Sequence, residues 1–457
     1  MARPVDARRR AFLKSLVAAP VLASCGREPE LPTPPGEWRN WSGAQRCTPK
    51  GGLQLPANTD ELSGIVKAAK GPVRVAGAGH SFSAVVPTDD TLLSLELMSG
   101  IVGHDAANLT ATIQAGTRLY LLGEPLAKLG QGLPVQPDID LQALGGVLST
   151  SSHGPGAQHR CMAAYLKEIS LVTADGALRK VSPSAESELF KAAQVSLGSL
   201  GVLTEVTLQN RTAYLLEERQ GILPLNDALE QFASWQKQDR HTEFFAFPRG
   251  ETAFTKRMRE VPMDTPRTIN AAQEEEAELE YASEVGMRAP FTIPLIQSVA
   301  GWFVPDTVRV GASYHIFPTV RHTLFNEMEY AVPADKGPAC FREVAAKIRD
   351  DGLPVFFPLE YRHVGADDLW LSPYHGRESV TISVHQYFKQ DHIALFKAVE
   401  PIFWKYDGRP HWGKWHSLTA KELAGRYDHW QDFQRVRREL DPGGKFLNPH
   451  LHQLFGV

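Results

Sequence analysis

Cysteine is scarce: four occur in 457 residues, too few for a disulfide framework. Past residue 25 there is no run of about 18 uncharged apolar residues, so no spanning helix is expected. One-sided charge is also missing. Lys and Arg number 48 against 52 Asp and Glu, which excludes a general nucleic-acid-binding surface. No internal repeat is visible. What is present is bulk: 43% hydrophobic residues, with 9 Trp, 21 Phe and 11 Tyr, enough to bury a large core and to exclude a mostly disordered chain. The length corresponds to about three units of ordinary domain size.

Residues 1–24 read as an export signal. Arg8-Arg9-Arg10-Ala11-Phe12-Leu13-Lys14 leads into a short apolar stretch, Ser15 to Leu22, and then Ala23-Ser24-Cys25-Gly26. A basic n-region, an apolar h-region and small residues before a cut are the signature of secretion. The paired arginines resemble a twin-arginine signal, and Leu-Ala-Ser-Cys resembles a lipobox, which makes Cys25 the expected lipidation site. Pro20 argues against an ordinary helix here. Without the first 24 residues, 43 basic and 51 acidic residues remain, a net charge of −8. Residues 25–37 carry four prolines between Glu28 and Glu37 and read as an extended tether. Cys47, Cys161 and Cys340 allow at most one disulfide.

Residues 38–210 alternate short strands and helices. Asn58-x-x-Glu61 reads as a capping box opening a helix to Lys70. Strands are expected at Val73–Ala76, Leu92–Leu97 and Thr110–Gln114, and a helix at Leu119–Leu129. Asp175-Gly176 marks a hairpin between Glu168–Thr173 and Ala177–Val181. A helix at Glu186–Gln194 precedes a strand from Gly201. This mixture predicts an α+β fold. Residues 211–407 read as a second domain, in which the acid run Glu274–Glu278 is a solvated helix face. Residues 408–457, dense in His, Trp, Lys and Arg, form a C-terminal segment.

Two glycine-rich stretches carry chemistry. In the first, Val73-Arg-Val-Ala76-Gly77-Ala78-Gly79-His80-Ser81-Phe82-Ser83, a strand runs into a tight turn. It is not a dinucleotide fingerprint, because Phe82 stands where the third glycine would permit close helix–strand packing and Ser-Ala-Val-Val-Pro87 is a poor helix start. Consecutive amides, glycines and serine hydroxyls still form an anion-binding nest. In the second, Gly145-Gly146-Val-Leu-Ser149-Thr-Ser-Ser152-His153-Gly154, there is almost no bulk, and Leu141, Leu144, Val147 and Leu148 pack it inside the domain. Small residues there let a flat ligand approach the backbone.

Together with EISLVTADGALRKV, SLGSLGVLTEVTLQ, Asn40-Trp41, the Arg409–Lys414 stretch and LDPGGKFLN, these motifs resemble the FAD domain of vanillyl-alcohol-oxidase-type flavoproteins. Their spacing is most similar to the aldonolactone oxidoreductases, which include gulonolactone, arabinonolactone and galactonolactone oxidases and dehydrogenases. The resemblance runs from Trp38 to the C-terminus and is weakest between about residues 215 and 350. It implies a two-subdomain FAD-binding domain plus an α+β cap, with the C-terminal segment returning to the flavin. It also implies FAD, with its pyrophosphate against Ala76, Gly77, Ala78, Gly79, His80, Ser81, Phe82 and Ser83. A covalent bond from His80 to the flavin is implied by members that carry histidine there. Gly145, Gly146, Ser149, Ser152, His153 and Gly154 would line the isoalloxazine and ribityl chain, with Gly201 and Val202 nearer the adenine.

On the substrate side, Leu359-Glu360-Tyr361-Arg362-His363 reads as a strand with Glu360 and Arg362 on one face. An ion pair on a solvated sheet and a catalytic pair are both open from these residues alone; the resemblance implies a Glu-x-Arg pair over the flavin. A forked guanidinium suits the charge left near the flavin when a hydride is received. Lys414 or His411 would take the hydroxyl proton if burial lowered its pKa. No metal is expected, since His411, His416, His450 and His452 lack ligand spacing. The lactone oxidases carry a small residue near the position of Glu96 that controls oxygen access, so O2 and a periplasmic or membrane carrier both remain as acceptors. The expected function is oxidation of a secondary alcohol of an aldono-1,4-lactone by an exported, membrane-anchored enzyme. An alditol oxidase or dehydrogenase, and a catalytically silent binding lipoprotein, are the alternatives.

Overall fold

The structure is a computed structural model that describes residues 31–274, 278–300 and 306–457. The signal residues Arg9, Arg10 and Cys25, and Glu275, Glu276 and Ala277 of the acid run, lie outside the described residues.

The N-terminal part is built on two main sheets, beside two short two-stranded pairs, Trp38–Arg39 with Arg46–Cys47 and Gln131–Gly132 with Arg211–Thr212. Leu53–Gln54, Thr91–Ser94 and Val73–Ala76 form a small parallel sheet in that order. Five antiparallel strands form the other, in the order Leu178–Val181, Leu166–Val172, Val202–Gln209, Thr110–Gln114, Ile101–Asp105. The Asp175-Gly176 hairpin is the tight one expected, with Leu178 paired to Val172 and Gly176 at φ +82°, a conformation that favours glycine. The helix near residue 60 spans Thr59–Ala68, and Asn58 caps it by accepting from Glu61 N–H. Glu61 reaches back one residue further than a capping box does, to Ala57 N–H. Leu119–Leu129 is a 3₁₀ turn, Leu119–Leu121, followed by a helix, Gly123–Lys128; the break falls just before Pro125, which lacks an N–H. The strand expected at Leu92–Leu97 closes at Ser94, and the Gly145 stretch coils into the helix Leu144–Ser149. Cys47, Cys161 and Cys340 are buried thiols.

The second unit is an eight-stranded antiparallel sheet. Its order is Thr307–Ala312, Leu215–Pro224, Thr252–Val261, His241–Ala246, Leu359–Val364, Ser379–Tyr387, Phe325–Pro333, Arg409–Pro410. One face is apolar: Phe244 and Tyr361 stack at 4.7 Å and meet Phe232 and Phe341 from the helices Leu225–Gln238 and Gly337–Asp350. Burying these rings drives the helices onto the sheet. The other face is polar, and register decides what meets there. Phe245, Glu360, Ser383 and Glu329 form one row across four strands, and Lys256, Glu243, Arg362 and Thr381 the next. Because side chains alternate, these strands send their charges to the side opposite the helices, where Phe245 and Phe325 stand among them.

The last strand, Arg409–Pro410, returns the C-terminal segment to this sheet, and Gly413 O then accepts from Phe82 N–H at 2.7 Å. Lys445 O accepts from Val73 N–H at 2.8 Å. The C-terminal segment therefore ties the glycine loop to the polar face of the large sheet.

Candidate active site

Two cavities meet at this seam. The first, about 1230 Å³ including its open mouth, runs along the glycine loop and the helix Leu144–Ser149. Ala76, Gly77, Ala78, Gly79, His80, Ser81, Gly145, Gly146, Ser149, Ser152, Gly201 and Val202 line it, together with His411 and Lys414. Its shape depends on missing side chains. A Cβ on Gly146 would meet nothing within 4 Å and stand in the open, and one on Gly77 would come within 3.0 Å of Ala143 Cβ. His80 lies 5.1 Å from the Trp41 ring. No helix follows the loop, since the next regular element is the strand Thr91–Ser94. Glu96 is exposed at the edge of this cleft.

Four residues read from sequence as cofactor contacts fall elsewhere. Phe82 turns into an aromatic cluster with Trp41 and Phe325. Ser83 donates its hydroxyl to Trp412 O at 2.7 Å, which anchors the C-terminal segment. Gly154 is pressed against Gln136, where a Cβ would stand 2.2 Å from the carbonyl oxygen. His153 lines the second cavity instead. In each case the alternative is a contact from a distant segment, which sequence proximity to the loop does not report.

The second cavity, about 720 Å³, lies over the polar face of the large sheet, and Gln142, Ser152, His411 and Lys414 belong to both. Glu360 and Arg362 are buried in its wall, so their pair is not a solvated surface ion pair. Arg362 Nη2 lies 2.9 Å from Glu360 and 2.9 Å from Glu329. Glu329 also accepts from His153 Nε2 at 2.8 Å and from Ser383 Oγ at 2.9 Å. Lys414 is ion-paired with Glu327, which His385 approaches at 3.7 Å. Asp138 pairs with Arg321, and Lys256 bridges Asp138 and Glu243 at 3.6 and 2.8 Å. Charges this deep persist only because each meets a partner. Glu327, Glu329, Asp138 and His385 were not singled out from sequence. The only available signal was Glu327-Met-Glu329, whose spacing matches Glu360-x-Arg362.

Electrostatics separates the carboxylates. Burial raises Glu329, but His153, its hydrogen bond and Arg362 outweigh it and hold the group well below the usual range. Burial also raises Glu327, and Lys414 and His385 reverse the shift. Glu360 goes the other way. Burial, joined by the fields of Glu243, Asp138 and Glu327, pushes it up to about 8 against the pull of Arg362. For Arg362 burial is opposed and overcome by Glu360 and Glu329, so its pKa rises. Burial takes His411 down to about 3, with Lys414 and His153 adding to it and Glu329 opposing. Its Nδ1 accepts from Gly413 N–H at 3.0 Å, so the neutral ring carries its proton on Nε2. Two trios, His153–Glu329–His411 and Glu327–Glu360–His385, bring ligand-type atoms within 4.8 Å, but Arg362 and Lys414 already engage their carboxylates.

A glycine-lined cleft that opens onto a buried, charged cavity is the setting of a flavin-dependent oxidoreductase, and similarity to known proteins places the chain in that class. Residues 52–182 match the model of an FAD binding domain, and residues 206–454 that of D-arabinono-1,4-lactone oxidase. The chain belongs to the D-arabinono-1,4-lactone oxidase family of FAD-dependent oxidoreductases. It is 34% identical to L-gulono-1,4-lactone dehydrogenase of Mycobacterium tuberculosis, covering 92% of this chain and 99% of that protein. It is 28% identical to alditol oxidase of a Streptomyces species, covering 91% and 98%. A solvent-stable cholesterol oxidase has the same fold, with a TM-score of 0.79 over 92% of this chain and 97% of that one at 19% identity.

The residues present fit FAD. The cleft has a glycine-built wall whose open side at Gly146 a Cβ would fill, and of the residues lining it Arg74, Arg118 and Lys414 are cationic whereas Glu96 alone is a carboxylate.

Proposed function

We propose that this enzyme oxidises a secondary alcohol of an aldono-1,4-lactone held in the second cavity. The observation that carries the reading is the seam: Ser152, His411 and Lys414 face both the cofactor cleft and the cavity that holds Glu360 and Arg362. The nest from Ala76 to Ser81 would hold the FAD pyrophosphate, Gly145, Gly146, Ser149 and Ser152 the flavin side, and Gly201 and Val202 the adenine side. His80 lines the same cleft and would be the residue that bonds covalently to the flavin. FAD held there would supply two-electron, hydride-accepting chemistry.

Arg362 holds the substrate oxygen and offsets the negative charge that builds on it as its proton departs. Its fork is fixed by carboxylates on two sides before substrate arrives. Glu360 takes the hydroxyl proton, since a carboxyl at about 8 is matched to proton transfer near neutral pH. His411 donates through Nε2–H instead, because its Nδ1 is already occupied. Lys414, paired with Glu327, orients substrate at the seam. The mixed lining of Ile139, Phe245, Phe325 and Phe357 with ionised groups suits a ring with one apolar and one hydroxylated face. Product analysis with an aldono-1,4-lactone and with xylitol tests the substrate class. Turnover of xylitol alone would move the reading to an alditol oxidase, and a yellow protein that turns over neither would leave a binding lipoprotein. Reoxidation in air after anaerobic reduction separates O2 from a carrier as acceptor.

We also infer export by the twin-arginine route and anchoring through Cys25 to the periplasmic face of a membrane, from the Arg9-Arg10 and Leu-Ala-Ser-Cys25 motifs. Replacing both arginines by Lys should strand the protein in the cytoplasm. Periplasmic accumulation of that variant would refute the route.

A further inference from the structure

Arg74 is a buried cation with no carboxylate. It is 4% exposed, lies in the strand Val73–Ala76 that leads into the glycine loop, and lines the cofactor cleft. Its guanidinium donates to four carbonyls: Val85 at 2.8 Å, Gly198 at 2.9 Å, Phe446 at 2.6 Å and Leu197 at 2.7 Å. These oxygens come from three separate segments. Two of them are presented by consecutive left-handed residues, Leu197 at φ +55° and Gly198 at φ +64°. Leucine adopts that conformation only when its surroundings impose it, so the carbonyl cage around Arg74 is a built feature.

The cage solvates the cation but cannot neutralise it. Carbonyl dipoles have no net charge, and among the described residues no ion pair links Arg74 to an acid. The cations of the second cavity are treated differently: Arg362 has two carboxylates, Lys414 has Glu327, and Arg321 has Asp138. An uncompensated charge is costly in a water-poor interior and is worth most against an anion brought beside it. Burial alone lowers its pKa, to about 9.

We propose that Arg74 is the resident counter-charge for the FAD diphosphate, acting through its field while its N–H groups hold the cleft walls together. The proposal rests on FAD occupying this cleft. Arg74 is a positioning residue, and its effect should be specific to ligands that carry phosphate.

The test uses full-length protein with His80→Ala, so that flavin exchanges freely, and reads Kd for FAD, ADP, adenosine and riboflavin by fluorescence and calorimetry. Arg74→Gln should weaken FAD and ADP by about tenfold or more, as expected when one partner of a buried charge pair is removed, and flatten their salt dependence. Riboflavin should bind within about twofold of the parent, and Arg74→Lys should keep FAD within about threefold, since it retains the charge. Equal weakening of FAD and riboflavin by Arg74→Gln, or unchanged ADP binding, would overturn the proposal in favour of a purely structural staple. If neither variant folds, the parent decides: ADP must bind at least about tenfold tighter than adenosine, and equal affinities refute the counter-charge. A parent that binds no FAD at all would instead refute the assignment of the cleft.

Discussion

Arg362 and Glu329 meet at 2.9 Å although the whole strand Ser379–Tyr387 lies between their own strands. Ser383, on that middle strand, donates to the same Glu329 oxygen at 2.9 Å. The guanidinium is therefore braced across three strands, with Glu360 on its own strand meeting the same Nη2 at 2.9 Å.

Removing the brace should hurt the reaction more than the fold. Glu329→Gln keeps the shape but leaves Arg362 one carboxylate fewer. Flavin content should stay at one per chain while the limiting rate of flavin reduction falls about tenfold, equivalent to roughly 1.4 kcal/mol. An unchanged rate would mean that Arg362 needs no bracing from Glu329.

The pH dependence follows from Glu360. Its carboxyl, raised to about 8 by burial and neighbouring carboxylates, accepts a proton only when ionised. Below that value kcat/KM should rise about tenfold per pH unit, then level off above it. Stability should run the other way. A carboxyl raised in the folded state binds more protons folded than unfolded, so its contribution is full below the ordinary glutamate pKa and is lost as pH climbs through about 8. Glu360→Gln should abolish both limbs; an unaltered activity profile in that variant would assign the proton to another group.

Much of this was legible in the sequence, and the boundary is physical. The glycine loop, the Asp175-Gly176 hairpin and the Glu360-x-Arg362 strand are encoded locally, by turn chemistry and period-two alternation. What was missed is non-local. Glu329 reaches Arg362 only through the pairing of strands about thirty residues apart, and Asp138 reaches Lys256 from outside the large sheet. Phe82 and Ser83 belong to the loop in sequence but to Phe325 and Trp412 in space.

Two glycines distinguish space kept for cofactor from space needed by the fold. A Cβ on Gly116 would lie 1.8 Å from Leu95 O, whereas one on Gly146 stands in the open cleft. Gly116→Ala should lose about 3 kcal/mol or more, or fail to fold. Gly146→Ala should leave the flavin-free protein within about 1 kcal/mol of wild type yet bind FAD at least about tenfold more weakly, read by thermal melts and flavin titration. Equal FAD affinity would move the flavin away from the helix Leu144–Ser149.

If His80 is bonded to the flavin, colour should survive unfolding. After acid precipitation the pellet should remain yellow, because hydrogen bonds are lost and a covalent bond is not. His80→Ala should release all its FAD on the same treatment and still bind it when native. Wild-type flavin found wholly in the supernatant would refute the bond but not FAD binding.

The most direct measurement is the anaerobic rate at which an aldono-1,4-lactone bleaches the flavin of wild-type and Arg362→Ala protein, with bound flavin checked by absorbance. Wild type should be reduced by the lactone. Arg362→Ala should be slower by about 10²–10³, or roughly 3–4 kcal/mol, with Arg362→Lys recovering little because an ammonium lacks the planar fork. A flavin-replete Arg362→Ala enzyme reduced within about threefold of wild type, a gap of only about 0.65 kcal/mol, would contradict the account.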